Sequence, residues 1–182
     1  SLFSIAAIIL SPLGEIVVSS HQIALSVTSM FFMVPLALGM ALTIRVGQLY
    51  GEKNWEVMQH LQRLGFMFAA VMSLSTMLII WLFRQQITSL YTNDPTVQVT
   101  AAGLLLFAMM YQLPDAWQVA AAGCLRGMQD TQGPMWITLF SYWGIALPLG
   151  IVFSRVLPYG AAGFWTGLVI GLSIAAVLLS LR

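Results

Sequence analysis

The sequence predicts an all-α membrane protein: a polytopic helical bundle of five full transmembrane helices and one partial one. Three observations predict it. Hydrophobic residues make up 59% and charged residues 7% of the 182 residues, against roughly 25% charged in soluble domains, too few to coat a water-facing surface. Mean hydropathy is +0.89. The uncharged runs approach the roughly 20 residues a spanning helix needs, and in lipid such runs satisfy their own amides only as helices.

The same composition excludes other classes. A net charge of +1 gives no electrostatic footprint for nucleic acid. The single cysteine, Cys124, excludes an internal disulfide and a cysteine-based metal cluster. The sequence holds no nucleophile–base pair, metal-ligand cluster or phosphate-binding glycine loop. An enzyme is therefore not expected, nor a cofactor or resident metal. Ser1 opens the chain inside an apolar run with no signal peptide, so we expect a piece of something longer.

Taken in order, residues 1–13 are apolar but too short to span and read as the tail of a helix. The span 20–44 is uncharged if His21 is neutral, and Pro35 is expected to break it. Gly51 can end that helix and Asn54 can cap the next. Trp55, Met58 and Leu61 repeat at helical spacing, which fits either a short interfacial helix or an extension of the span 64–83. Asn93-Asp94-Pro95 is a helix start, with an acceptor at the cap and proline where its missing N–H does no harm. It opens the span 98–122. The span 135–154, with Pro148 inside, and the span 161–181 complete the chain.

Positive charge orients the bundle. The connectors alternate sides, one carrying Arg45, Lys53, Arg63, Arg126 and Arg182 and the other Arg84 and Arg155. Lys and Arg accumulate on the cytoplasmic side, which places the C-terminus there.

Asp115 is the one charge between Asp94 and Arg126. It precedes Arg126 by 11 residues, roughly 16 Å along a helix and about half the ~30 Å hydrocarbon core. A carboxylate at that depth costs about 2.5–3.5 kcal/mol on insertion scales and normally faces a cavity or a partner. Tyr111 and Gln118 lie on the same helix face. Pro114 withholds an N–H from the carbonyl of Met110, so a helix break is expected beside the acid. A carboxylate, a phenol and a freed carbonyl suit a proton or a hard monovalent cation, and broken helices at membrane depth are where secondary transporters hold their ions. The plainer reading is an acid hydrogen-bonded to a neighbouring helix.

Other polar positions are less telling. His21 and Gln22 fall near the outer end of their span, where such a pair meets headgroups or caps the helix. Ser26 and Phe32 continue along the side of Gln22 and are ordinary packing types. Glu15, in a Pro-Leu-Gly-Glu turn, reads as solvated. Met30, Met33 and Met40 would suit either an adaptable binding surface or simple packing.

The run VPLALGMALTIRVGQLYGEKN, the pair in HQIAL, the segment YQLPDAWQVAAAGCLRGMQDT and the later YWGIALPLG together resemble multidrug and toxic compound extrusion (MATE) transporters, of the NorM-type bacterial branch. The resemblance covers essentially the whole chain. It implies one lobe of a twelve-helix, two-lobe transporter: the C-terminal lobe, with residues 1–182 supplying part of helix seven and helices eight to twelve. It implies an antiporter in the bacterial inner membrane that expels small organic cations in exchange for Na+ or H+, with membrane lipid and the N-terminal lobe as partners. Asp115 resembles the family's coupling aspartate and Tyr111 the aromatic beside it. Gln22 resembles a substrate-contacting position, and Ser26, Phe32 and Gln118 are taken with it as substrate-binding. Phe32 stands where some relatives place a tyrosine. The family's helix-seven glutamate would align upstream of Ser1, and Glu15 is not its substitute. Coupling would follow from shared occupancy, because a cation at Asp115 and a cationic drug compete for one charge.

Four rival readings are weighed. A lipid-linked oligosaccharide flippase of related fold would need more cationic residues in its spans to meet pyrophosphate. A channel would need polar stripes on several helices. A membrane-embedded enzyme would need a second catalytic group beside Asp115. A non-transporting membrane scaffold would need no buried acid.

Overall fold

The computed structural model describes residues 14–156 and 160–182; the expected partial helix at 1–13 lies outside them. Helix α1 is Glu15–Gly51, α2 is Trp55–Tyr91 and α3 is Pro95–Gly127. The next span opens as α4, Gln132–Leu139, widens into a π-helical stretch at Phe140–Ala146, returns as α5, Leu147–Ile151, and widens again at Val152–Val156. Helix α6 is Gly160–Ser180. Among the described residues there is no strand, and five helical stretches are long and apolar enough to cross a membrane. The chain is an all-α, multi-pass membrane protein.

Local chemistry explains the boundaries. Asp94 caps α3, its carboxylate accepting from the Thr96 amide at 2.8 Å, with Pro95 next in the first turn. Asn54 caps α2 by accepting from the Val57 amide at 3.4 Å. Helix α2 then runs unbroken from Trp55, so the Trp55–Met58–Leu61 pattern belongs to an extension of the span. The C-termini of α1 and α3 share one closure. Asn54 N–H donates to Leu49 C=O and Lys53 N–H to Tyr50 C=O; Asp130 N–H donates to Leu125 C=O and Gln129 N–H to Arg126 C=O. Both are Schellman turns, which need a left-handed residue. Here Lys53 (φ 56°) and Gln129 (φ 66°) take that place, while Gly51 is still helical. Beyond the second turn the Asp130 carboxylate accepts from the Gly133 amide at 3.0 Å and pairs with Arg182. The hydrogen bond from Arg182 holds its carboxyl below the usual carboxylate range.

Two expected breaks do not occur. Helix α1 continues across Pro35 and α3 across Pro114. One missing N–H removes one rung, and the packing of α3 against α1, α2 and α6 holds the axis together on either side. The departures from α-geometry fall in the fourth span instead. A π turn carries one extra residue and is most often found at functional sites.

Helix α3 is the core. It lies against α1 through small residues: a Cβ on Gly123 would sit 2.5 Å from the Gly39 carbonyl, and one on Gly127 would sit 2.8 Å from that of Thr43. The Thr43 hydroxyl donates to the Gly123 carbonyl at 3.1 Å. Gly39, Thr43 and Gly47 thus face Gly123 and Gly127, a small-residue seam that lets backbones touch. Outward faces are apolar: Met67, Val71, Leu74 and Leu78 on α2 are exposed, as are Met30, Met33 and Met40 on α1.

Candidate functional site

Asp115 is buried in the middle of α3, on the face that also carries Tyr111 and Gln118, both buried. It borders a cavity of about 410 Å³ enclosed by four elements. Helix α1 supplies Thr28, Ser29 and Phe32; α3 supplies Tyr111 and Asp115; the π-helical stretch supplies Tyr142 and Trp143; α6 closes it with Leu168 and Leu172. The one ion pair among the described residues is Asp130–Arg182, so no cationic side chain described here neutralises Asp115. The cavity therefore sets one carboxylate among hydroxyls and aromatic faces. Hydroxyl and carboxylate oxygens are ligands for a hard cation, and aromatic faces attract an organic one.

Of the expected site residues, Asp115, Tyr111 and Phe32 meet here. Gln118 lies one turn along α3 and is tied to Tyr142: its amide donates to the phenol oxygen at 2.9 Å, and the phenol reaches its carbonyl at 3.1 Å. Gln22 and Ser26 do not join the cavity. Gln22 borders a separate outer one with Glu15, Ser19, Tyr91 and Asp94, and the Ser26 hydroxyl donates back to the Gln22 carbonyl at 2.9 Å. Leu25, between them in sequence, does line the cavity; one residue further the helix has turned by about 100°, which carries Ser26 to another face, and Gln22 lies about one turn further out.

Pro114 and Met110 also depart from expectation. Neither borders the cavity, and the Met110 side chain is exposed. Five residues turn a helix by about 140°, which puts Met110 on another face from Asp115. Helix α3 runs on across Pro114.

The sequence places His21 where it would meet headgroups or cap its helix. It is fully buried instead, edge-on to Trp165 at 5.7 Å and Phe164 at 6.4 Å, and neither ring nitrogen has a hydrogen-bond partner among the described residues. Thr28, Ser29, Tyr142 and Trp143 are the residues that reading the sequence missed. The signal for the last two was YWGIALPLG, where two aromatics precede Gly144 and Pro148 in one span. Among the described residues no group of three or more His, Cys, Asp or Glu is placed to hold a metal ion.

The fold and the cavity define a class: a multi-pass helical membrane protein with a buried acid beside a cavity lined by aromatic side chains. The MatE family model matches residues 1–152, and the chain belongs to that family. It is 59% identical over all of its 182 residues to the Probable multidrug resistance protein NorM of Acinetobacter baylyi, of which it covers 40%. It is 41% identical over 186 aligned positions to the Multidrug resistance protein NorM of Photobacterium profundum, of which it covers 41%. The chain thus spans about two fifths of the curated relatives it matches. Two solved structures share its fold. The eukaryotic MATE transporter AtDTX14 superposes with a TM-score of 0.93 at 21% identity, over 99% of this chain and 41% of that one. An outward-facing multidrug resistance MATE family transporter does so with 0.88 at 22%, over 99% and 42%.

Proposed function

We propose that this chain is the C-terminal lobe of a cation-coupled antiporter that exports organic cationic drugs across the bacterial inner membrane, with its C-terminus in the cytoplasm. The observation that carries this reading is the pairing of Asp115, buried without a cationic partner among the described residues, with the walls of Tyr111, Tyr142, Trp143 and Phe32. The names borne by the NorM relatives support the drug-export part.

An unpaired carboxylate in a largely apolar cavity is poorly solvated, and a proton or Na+ bound there relieves that. The hydroxyls of Tyr111, Thr28 and Ser29 would complete an oxygen shell around Na+. An organic cation held by the aromatic walls seeks the same negative charge, so each occupant lowers the affinity for the other, reciprocally. Movement of this lobe against an N-terminal one would expose the cavity to either side in turn. The flippase reading is disfavoured because no cationic side chain among the described residues borders this cavity.

Ethidium binding to the purified full-length protein tests the reading. Added Na+, or a drop in pH, should weaken ethidium binding to the wild type and leave its affinity for Asp115→Asn unchanged. Equal sensitivity of the two proteins would remove Asp115 from the coupling.

A further inference from the structure

A second cavity of about 480 Å³ lies on the inner side of Asp115, between α3 and the fourth span, and reaches down to Arg126 and Thr131. Tyr142 and Trp143 border both cavities. On α3 the division is equally sharp. Asp115 borders only the mid-membrane cavity and Gln118, three residues further, only the inner one. That step is about 5 Å of helix rise. The reciprocal Gln118–Tyr142 contact, at 2.9 and 3.1 Å, therefore stands in the wall between the two spaces.

Its foundation departs from α-geometry. Tyr142 and Trp143 sit in the π-helical stretch Phe140–Ala146. A π turn holds one residue more than an α turn and recurs at functional sites; a shift of that extra residue along the helix would re-aim the side chains it passes. Both cavity walls would turn together. Arg126 borders the inner end of that space and repels the coupling cation and a cationic drug alike, so bulk alone would discriminate there: a gap opened by one displaced side chain would admit a proton or a small cation, not a drug.

We propose that the Gln118–Tyr142 pair is a barrier within this lobe, and that the coupling cation is exchanged between Asp115 and the cytoplasm through the inner cavity, by a route separate from the drug's. This rests on the coupling role proposed for Asp115. Gln118 is then a barrier residue, not part of the substrate surface.

The test is cation flux without drug, measured in proteoliposomes of the full-length protein with imposed Na+ or pH gradients. Tyr142→Phe removes the phenol oxygen, and Gln118→Met removes the amide while keeping the bulk. Either variant should raise drug-free flux about threefold to tenfold, the scale of one lost neutral hydrogen bond. Adding Asp115→Asn should return it to background, since the route passes through that carboxylate. Unchanged drug-free flux in whichever variants elute as folded protein would overturn the barrier. So would a raised flux that survives Asp115→Asn, because the path would then bypass the acid. If the wild type itself exchanges no drug for cation, the coupling reading fails and takes this inference with it; wild-type coupling with silent variants removes the barrier alone.

Discussion

Asp115 bears the charge on which the account rests, and its substitutions separate charge from shape. Asp115→Asn should abolish drug-for-cation exchange while expression stays normal, because insertion of a neutral amide costs less than that of a carboxylate. Asp115→Glu should retain exchange with an altered cation affinity, since the charge survives one methylene further out; counterflow assays check both. Pro114 is a different matter. From the sequence, proline and aspartate side by side read as one device, and Pro114→Ala would have weakened coupling. The structure turns Met110 away from the cavity, so Pro114→Ala should leave the cation dependence of transport unchanged. A sequence shows which carbonyl loses its donor but not toward which neighbour that carbonyl points. His21 teaches the same lesson: one turn from a span's end is wet or dry according to whether α6 covers it, and Trp165 and Phe164 do.

At the scale of elements, what was legible was local. The caps at Asn54 and Asp94 need only one side chain and the amide two or three residues on. The Schellman closures are local too: α1 ends at Gly51 as expected, while the left-handed position falls two residues later, on Lys53. Left-handed backbone costs a residue with a Cβ about 1–2 kcal/mol. Gln129→Gly should therefore stabilise by about 1 kcal/mol, read as a higher midpoint in thermal unfolding of the detergent-solubilised protein. The seam between α1 and α3 predicts the opposite sign. Gly123→Val forces a Cβ onto the Gly39 carbonyl and should destabilise by about 1–3 kcal/mol in the same assay. The π-helical stretches were not legible. A π turn differs from an α turn by one residue of hydrogen-bond register, and composition records no such shift.

For the whole molecule, the balance of water, lipid and charge was plain from composition, because a chain with 7% charged residues has no other solvent to fold in. Which helices enclose Asp115 was not. That depends on α1, the fourth span and α6 closing over α3, which brings residues as far apart in sequence as Phe32 and Leu172 to one cavity. Orientation remains a matter of counting Lys and Arg. A reporter fused after Arg182 of the full-length protein should be cytoplasmic and one inserted at Asn93 external; the reverse would overturn the assignment. The central claim is that cation binding at Asp115 drives drug export. It is met most directly by drug efflux from proteoliposomes of the full-length protein, with Na+ and pH gradients imposed separately on the wild type and on Asp115→Asn. The account predicts that at least one gradient drives uphill export by the wild type and neither does so for the variant. Uphill export by correctly folded Asp115→Asn would contradict it.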